Sequence, residues 1–248
     1  MQNNLSVVIL THNDELRIVD CLESVQFADE IIIIDDESSD RTVELALQYT
    51  SKVFKRSLGK NFSDQRNFAF NHAHGPWVLF VDSDERVTEE LKKEIKESIK
   101  KNLYSGYLLK RADYMWGKRL LHGEAGNVKL LRLARKGYGR WRGRVHETWR
   151  IKGNTLELQN PLIHTPHQSV AEFIREVDEY SSLRSDELHE RGVKVSIWHV
   201  LLYPVAKFIL NYGIKGGYKD GVAGFVFAMI MSFHSFLVRG KLFQKTNE

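Results

Sequence analysis

The chain has 248 residues, 42% apolar and 27% charged, which excludes a disordered protein and allows one large domain or a domain with an appendage. Its net charge of +4 is too diffuse to predict nucleic-acid binding, but it suits an anionic partner such as a nucleotide or a membrane face. Cys21 is the only cysteine, which excludes an internal disulfide and fits a reducing compartment.

The N-terminal part alternates between short apolar runs and amphipathic stretches. Strands are predicted at 5–10, 30–34, 52–56 and 77–81, and helices at 14–25, 40–49, 63–73 and 88–101. Ser63 and Thr88 are the expected caps of the last two helices. The fourth helix has its predicted buried stripe at Leu91, Ile95 and Ile99. This alternation predicts an α/β fold with a doubly wound, mostly parallel sheet.

The alternation stops after Asn102, although the chain still reads as the same domain. Strands are predicted at 104–110, 114–120 and 127–133. A hairpin is predicted over 149–158, with its turn at Gly153 and Asn154. A shift in composition near Pro166 ends this pattern. We therefore expect a catalytic domain over 1–166 and a C-terminal α-helical appendage over 167–248.

The C-terminal region begins with a helix-capping sequence at Ser169 and contains two long apolar stretches. The first helix has its predicted apolar face at Phe173, Val177, Tyr180 and Leu188. Apolar stretches follow at 197–212 and 221–238, and the second lacks any charged residue over 18 positions. Basic residues flank it, which favours association with an anionic membrane surface. A membrane span, a buried helical pair and a dimer interface are the alternatives.

Two acidic residues, Asp82 and Asp84, follow the predicted strand at 77–81. Open α/β sheets bind ligands at the carboxyl ends of their strands. Carboxylates at i and i+2, with no basic neighbour before Arg86, repel each other, and a divalent cation between them would relieve that repulsion. Hard oxygen ligands suit Mg²⁺ or Mn²⁺. The alternative is a solvated acidic turn.

A second acidic pair, Asp35 and Asp36, follows the strand at 30–34. Ser39 or Asp40 can cap the next helix, so this pair is not needed for capping. A carboxylate here can accept hydrogen bonds from a ribose hydroxyl or a base N–H. The chain has neither a GxGxxG fingerprint nor a P-loop, so a nucleotide would be held by carboxylates and a metal instead of a glycine cradle.

Four motifs in order resemble glycosyltransferase family 2. They are Ser6–Asn13, Ile34–Thr42, Gln65–Asn67 and Phe80–Glu85. The resemblance covers about residues 5–165. Within the family, Gly143–Glu147 and Pro161–His164 are similar to the small lipopolysaccharide core glucosyltransferases. The resemblance implies the GT-A fold, a nucleotide-sugar donor and inversion at the anomeric carbon.

The resemblance also implies roles for residues of this chain. Thr11 and Asp36 would contact the nucleoside, Arg66 would lie near the donor phosphates, and Asp82 and Asp84 would bind the metal. The donor site is predicted to comprise Thr11, Asn13, Asp35, Asp36, Lys60, Arg66 and Asp82. The metal ligands are predicted to be Asp82, Asp84 and His164, although a structural role for His164 is an equal alternative.

Inversion requires a base that deprotonates the acceptor hydroxyl on the face opposite the leaving group. Glu147 occupies the place of the family's catalytic base. The family's usual pair of acids is replaced here by His146 and Glu147, so either residue could remove the proton. The alternatives are a surface ion pair for Glu147 and a structural role for His146.

The acceptor is expected to contact aromatic and basic residues, because aromatic faces stack on sugar rings and arginines bind phosphate. Trp116, Arg142 and Arg144 are the candidates, and the alternative for the tryptophan is a place in the core. We expect UDP-glucose as donor and a lipid-linked saccharide, such as the lipopolysaccharide inner core, as acceptor.

The predicted location is the cytoplasmic face of the inner membrane, on the basis of the subgroup resemblance, the single cysteine and the apolar C-terminal tail. Oligomerisation through the C-terminal helices is possible. Two other functions fit part of the pattern: a nucleotidyltransferase with a similar sheet, and an inactive membrane adaptor that retains the fold.

Overall fold

The computed structural model describes residues 4–59, 61–143, 147–166 and 169–247. The chain divides into two compact units. The first comprises Met1–Arg111 and Lys129–His164, and the second comprises Ala112–Val128 and Thr165–Glu248. The second unit therefore combines the C-terminal helices with a segment from the middle of the chain. The domain boundary predicted near residue 166 remains a prediction.

The described residues form strands and helices in the following order. The strands are β1 (Leu5–Thr11), β2 (Glu30–Asp35), β3 (Val53–Lys55), β4 (Trp77–Asp82), β5 (Glu85–Val87), β6 (Gly106–Met115), β7 (Lys118–Arg119), β8 (Val128–Arg135), β9 (Gly139–Arg142), β10 (Thr148–Ile151), β11 (Thr155–Glu157) and β12 (Leu162–His164). The helices are α1 (Ile18–Val25), α2 (Thr42–Ala46), α3 (Phe62–His72), α4 (Glu89–Lys101), α5 (Val170–Glu190), α6 (Ile197–Phe208) and α7 (Gly221–Asn247).

The main sheet has the strand order β3-β2-β1-β4-β8-β6-β12-β5. β1 pairs in parallel with β2 and with β4, and β3 pairs in parallel with β2. β8 is antiparallel to β4, and β12 is antiparallel to β5. The mixed α/β fold, with a mostly parallel sheet and C-terminal helices, confirms the predicted fold class.

The parallel strands place the acidic residues at one edge of the sheet. Thr11 pairs with Asp35 on one side of β1, and its neighbour Leu10 pairs with Asp82 on the other. The carboxyl ends of β2, β1 and β4 therefore lie side by side. This is the edge where such sheets bind ligands.

The core of the first unit fixes that edge in place. Val7, Ile9 and Ile33 are fully buried in the sheet and pack against α1 and α4. Leu91, Ile95 and Ile99 form the buried face of α4, as predicted. Each large aliphatic side chain buried in this way contributes about 1.5–3 kcal/mol.

Two local predictions are wrong. Residues 149–158 form no hairpin, because β10 pairs antiparallel with β9 while β11 pairs in parallel with β6. Gly153 does provide a turn, at φ +92°, but the two strands leave it for different partners. Asn61 caps α3 instead of Ser63, and its side chain accepts a hydrogen bond from the Asp64 N–H.

In the second unit, α7 packs against α5 and against the segment 115–125. Its core includes Met115, Leu120, Phe173 and Phe227. Ser169 caps α5 as predicted, by accepting the Glu172 N–H. The predicted apolar face of α5 fails at one residue, Tyr180, which is 38% exposed. The buried positions are instead Ser181 and Ser185, which continue the four-residue spacing from Phe173 and Val177.

Two helical segments of the second unit, Ile197–Ile214 and Gly217–Thr246, are long and apolar enough to cross a membrane. Length and composition alone are weak evidence for a span, since core helices of soluble proteins meet the same test.

Candidate active site

Asp82, at the end of β4, lies between two arginines. Its Oδ1 accepts a hydrogen bond from Arg66 Nη2 at 2.9 Å, and its Oδ2 accepts one from Arg132 Nη2. Arg132 also contacts Glu85 Oε1 at 3.3 Å, and Glu85 in turn accepts the Asp82 N–H at 2.9 Å. Arg66 comes from α3 and Arg132 from β8, so separate parts of the chain supply the positive charge.

The ion pairs determine which of these groups are charged. Burial would raise the pKa of Asp82, but the Arg132 and Arg66 guanidinium groups hold it well below its usual range. Burial also raises the pKa of Glu85, against the opposing charge of Arg132. The two arginines therefore already compensate the charge of Asp82 in the absence of an ion, and the metal site stays a prediction.

Glu147 belongs to the same network. Its Oε1 accepts a hydrogen bond from Arg66 Nε at 2.7 Å. The guanidinium of Arg66 thus bridges the predicted base and Asp82, and its carbon lies 4.7 Å from the centre of the Trp141 ring. Asn67 fixes Trp141 by bonding both its N–H and its C=O, at 3.0 and 2.9 Å. Glu147 therefore forms an ion pair, as its alternative role supposed, but the partner is the buried Arg66 of α3.

Asp84 and His164 form a second pair at the site. His164 lies opposite Glu85 in the β5–β12 ladder, and its Nε2 is 3.2 Å from Asp84 Oδ2. Burial would raise the pKa of Asp84, but the interaction with His164 lowers it below its ordinary value. The structure thus brings together two of the three predicted metal ligands, while Asp82 faces the arginines.

The acidic and histidine side chains at the site fit a metal ion that is shared with a substrate, and not one enclosed by protein ligands. Among the residues that the structure describes, no group of three or more His, Cys, Asp or Glu side chains is arranged to hold an ion. An all-protein cage is therefore absent from this part of the chain. Mg²⁺ and Mn²⁺ are commonly bound by one or two carboxylates together with substrate phosphates, and an imidazole suits Mn²⁺ better than Mg²⁺. Asp84 and His164 fit an ion that shares its ligands with a diphosphate.

Asp14, which the sequence did not single out, organises the loop after β1. Its Oδ2 accepts hydrogen bonds from Thr11 Oγ1 at 3.2 Å and from Ser83 Oγ. Its Oδ1 lies 3.0 Å from Arg17 Nη2. Burial is the main cause that raises the pKa of Asp14. The Thr11 hydroxyl is thereby engaged inside the protein, and Asp14 joins the β1 loop to the Asp82–Glu85 turn.

The two acids after β2 differ in accessibility. Asp35 is fully buried, and its Oδ2 accepts the Ser38 N–H at 3.1 Å. Asp36 is half-buried, and its Oδ1 accepts the Leu58 N–H at 2.6 Å. Its Oδ2 has no hydrogen-bond partner in the described part of the chain. Of the pair, Asp36 is the one that a ligand can reach directly.

The remaining predicted residues lie in varied positions. Asn13 is exposed at φ +52°, and its Oδ1 accepts the Ser39 N–H at 2.9 Å, so it connects two loops. Arg142 is exposed at the end of β9. Trp116 lies in the second unit, where it packs against the apolar core of that unit. Three predicted residues, Lys60, Arg144 and His146, lie outside the described residues.

Arg132 is the residue at this site that the sequence interpretation missed. It stands between Leu131 and Leu133 in a predicted strand, and it is 4% exposed. A charged residue inside an apolar strand must find a partner, because an unpaired buried charge is very costly. That interruption was the available signal. Asp14 carried no comparable signal, because an acid before a helix is common.

Comparisons with known proteins agree on one family. A sequence profile described as glycosyl transferase family 2 matches residues 6–178. The chain is 27% identical over 249 residues to the lipopolysaccharide core biosynthesis glycosyltransferase LpsC of Rhizobium meliloti, over 97% of this chain and 92% of that one. It is 28% identical over 253 residues to an uncharacterized glycosyltransferase of Rickettsia typhi, over 96% of this chain and 86% of that one.

Among solved structures, glucosyl-3-phosphoglycerate synthase of Mycobacterium tuberculosis, in complex with Mn²⁺, UDP and phosphoglyceric acid, superposes with a TM-score of 0.50. The match covers 79% of this chain and 81% of that chain at 15% identity, so the likeness concerns the fold alone.

Proposed function

The chain belongs to glycosyltransferase family 2 and has the GT-A fold, and from this premise we propose that it is an inverting transferase that moves a hexose from a nucleotide sugar to a lipid-linked saccharide. One observation carries the proposal: the carboxyl ends of β2, β1 and β4 bring acids and Arg66 together with Glu147 at one edge of the sheet. This arrangement suits a negatively charged donor that has a base beside it.

Asp36 and Arg66 would hold the donor. The Oδ2 of Asp36, unpartnered among the described residues, suits a base N–H or a ribose hydroxyl. Arg66 Nη1 is buried and has no hydrogen-bond partner in the described ranges, so it can donate to a phosphate oxygen. Asp82 keeps its predicted place in the donor site by holding Arg66 in position.

Asp84 and His164 would hold Mg²⁺ or Mn²⁺ against the diphosphate. When bound, the ion would neutralise charge that develops on the leaving diphosphate. Arg66 adds a fixed positive charge for the same purpose.

Glu147 would accept the proton of the attacking hydroxyl. In the structure its Oε1 is bonded to Arg66, and a donor diphosphate would compete for that guanidinium. Donor binding would then loosen Glu147 for the acceptor. A base on the side opposite the leaving group gives inversion.

The donor and acceptor follow from resemblance in sequence. The similarity to LpsC, a lipopolysaccharide core enzyme, favours the lipopolysaccharide inner core as acceptor. The subgroup motifs favour UDP-glucose. Such an acceptor is anchored in a bilayer, so the enzyme would act at the cytoplasmic face of the inner membrane.

A UDP-release assay tests the proposal. Purified protein is mixed with UDP-glucose, Mn²⁺ and lipopolysaccharide truncated in its inner core, and mass spectrometry follows the gain of one hexose on the acceptor. We expect UDP release that requires both acceptor and metal. Donor binding without any transfer to a range of truncated acceptors would instead favour an inactive adaptor.

A further inference from the structure

The second unit has an apolar surface that its own core leaves uncovered. On α6 and the turn that continues it, Trp198, Leu201, Val205 and Ile209 are all exposed and follow each other at intervals of three or four residues. That spacing places them on one side of a helix. Trp198 alone is 65% exposed.

α7 carries a matching stripe. Val222, Phe225, Met229 and Phe233 are exposed at the same three- or four-residue spacing, and Val222 is 80% exposed. The opposite side of the helix is occupied, because Phe227 and other buried side chains pack against α5. α7 therefore has one face for its own core and a second, exposed stripe on which Phe225 contacts the rings of Phe208 and Tyr212.

The two stripes meet on one side of the helix pair. A shallow groove between the helices is lined by Leu201 and Pro204 of α6 and by Met229, Phe233 and Phe236 of α7. We name this surface the docking face, defined by the two stripes and Phe236. It is a continuous apolar surface of the kind that marks an interaction site on a soluble protein.

The segment that carries this surface is basic, although four of its lysines pair with acids of the same unit: Lys207 and Lys215 with Glu124, Lys241 with Asp178 and Lys245 with Asp186. Residues 192–247 contain seven lysines and arginines and a single acid, Asp220. Asp220 is buried and bonded to His122, so it does not offset the basic charge at the surface. Lys194 and Lys219 are exposed. An apolar face bordered by basic residues complements an anionic leaflet, whose headgroups attract Lys and Arg.

The packing of α5 rules out a membrane span for α7 as folded. α5 runs beside α7: Phe173 lies 6.0 Å from Phe227, and Asp178 lies 2.6 Å from Lys241. α5 carries seven acidic side chains. A spanning α7 would draw the part of α5 around Phe173, which includes Glu172 and Glu176, towards the hydrocarbon core, at a cost of several kcal/mol for each charge.

We propose that the docking face lies in the plane of one anionic leaflet, with α6 and α7 along the membrane surface and acidic α5 on the side away from it. This proposal specifies how the protein would contact the membrane at which the proposed function places it. It rests on the proposed function only for the choice of the cytoplasmic leaflet of the inner membrane. The partner is the bilayer itself, and neither a second copy nor another protein is required.

Co-sedimentation with vesicles tests the surface. The full chain is mixed with vesicles of phosphatidylcholine alone or with phosphatidylglycerol added. The variant Trp198→Ser/Val222→Ser removes two exposed apolar side chains from the docking face. The matched control Leu47→Ser/Leu103→Ser removes two that are more than half exposed in the first unit. Thermal unfolding midpoints confirm that both variants fold.

We expect the wild type and the control to sediment with anionic vesicles, and the docking-face variant to bind at least tenfold more weakly. Binding of the wild type should fall in high salt, because salt screens surface charges. Equal sedimentation of all three proteins would overturn the proposal. So would a wild type that binds no vesicles and is a dimer dissociated by the variant, since the face would then join two copies.

Cysteine labelling tests the orientation. Cys21 is fully buried, so it adds little background. Gly213→Cys and Gln244→Cys place thiols before and near the end of α7, at exposed positions. In inside-out inner-membrane vesicles, a membrane-impermeant maleimide should label both. Protection of only one would show a span and contradict the in-plane arrangement. Donor binding is also measured without vesicles. Intact donor binding together with failed vesicle binding would contradict only the docking proposal, whereas failed donor binding would contradict the transferase proposal.

Discussion

Arg132 and Arg66 place two guanidinium groups against the carboxylate of Asp82, and Arg132 also reaches Glu85, which is fully buried. Each charge in this group is tolerated because of the others, so removing one leaves its partners uncompensated. The stability of the site should therefore depend on Arg132 more than on any exposed arginine.

Replacing Arg132 with methionine tests this dependence. Arg132→Met should lower the free energy of unfolding by about 3–5 kcal/mol, because it leaves the fully buried Glu85 without its arginine and Asp82 with Arg66 as its one remaining guanidinium partner. Lys129→Met, on the same strand, breaks an exposed ion pair with Glu157 and should cost less than about 1 kcal/mol. Urea denaturation measures both. Adding Glu85→Gln to Arg132→Met should recover part of the loss, and a strictly additive loss would contradict the coupling.

Glu147→Gln separates the chemistry from donor binding. The amide cannot act as a base, so the transfer rate should fall by at least about 100-fold while the affinity for the donor stays within a few-fold. Rapid-quench turnover and calorimetric donor titration give the two quantities. Glu44→Gln, in an exposed ion pair with Arg41, is the control and should leave both unchanged. Near-normal turnover of Glu147→Gln would move the base to another residue.

At the scale of elements, the sequence predicted what depends on local periodicity and missed what depends on distant pairing. β1, β2 and β4 are apolar runs buried on both faces, and their positions were predicted to within a residue. The hairpin at Gly153 was predicted from its turn residues. In the structure β11 pairs in parallel with β6 instead, and the local sequence does not reveal that distant pairing. Tyr180 fails for a related reason, since only packing shows which side of α5 faces α7.

The site shows the same division. Asp82, Asp84 and Asp36 were predicted because each follows a strand whose carboxyl end is readable in sequence. Their partners were not predicted, since Arg132 reaches Asp82 across 50 positions of the chain. The charge balance of the site is a tertiary property, which explains why the arginines that compensate Asp82 were not predicted although the acids themselves were found.

A half-buried acid, Glu30, lies at the opposite edge of the sheet, where β2 begins. Burial would raise the pKa of Glu30 at the start of β2, but hydrogen bonds from His74, Lys52 and Ser6 lower it from 4.5 to about 2. A lowered carboxyl pKa gives stability that is fully present above the unfolded value and is lost as the pH falls through the folded value. The relevant window is therefore about pH 4.5 to 2.

Glu30→Gln should remove this pH dependence. At pH 7 the variant should be less stable than the wild type by about 1–3 kcal/mol, because the charge-assisted hydrogen bonds are lost. The difference should shrink as the pH falls from 4.5 towards 2. Urea denaturation at pH 7, 4.5, 3.5 and 2.5 measures it. A difference that stays constant over this range would show that Glu30 acts through packing instead of through its charge.

At the scale of the whole molecule, the chain combines an α/β unit that contains the acidic edge with a helical unit that contains the docking face. The helical unit also includes residues 112–128, and its core joins Met115 and Leu120 to Phe173 and Phe227. Deleting the helices after Arg191 would expose that core. Surface substitutions are therefore the better way to test membrane association.

The central claim is that the acidic edge holds a nucleotide sugar together with a divalent ion. The most direct measurement is a thermal-shift screen of nucleotide sugars, each with Mn²⁺ or with EDTA, on the wild type and on Asp84→Asn. We expect one or a few UDP-sugars to raise the Tm of the wild type only with Mn²⁺, and Asp84→Asn to lose that shift while its Tm without ligand stays close to that of the wild type. If no nucleotide sugar stabilises the wild type at millimolar concentration, or if Asp84→Asn responds in the same way, the claim is contradicted.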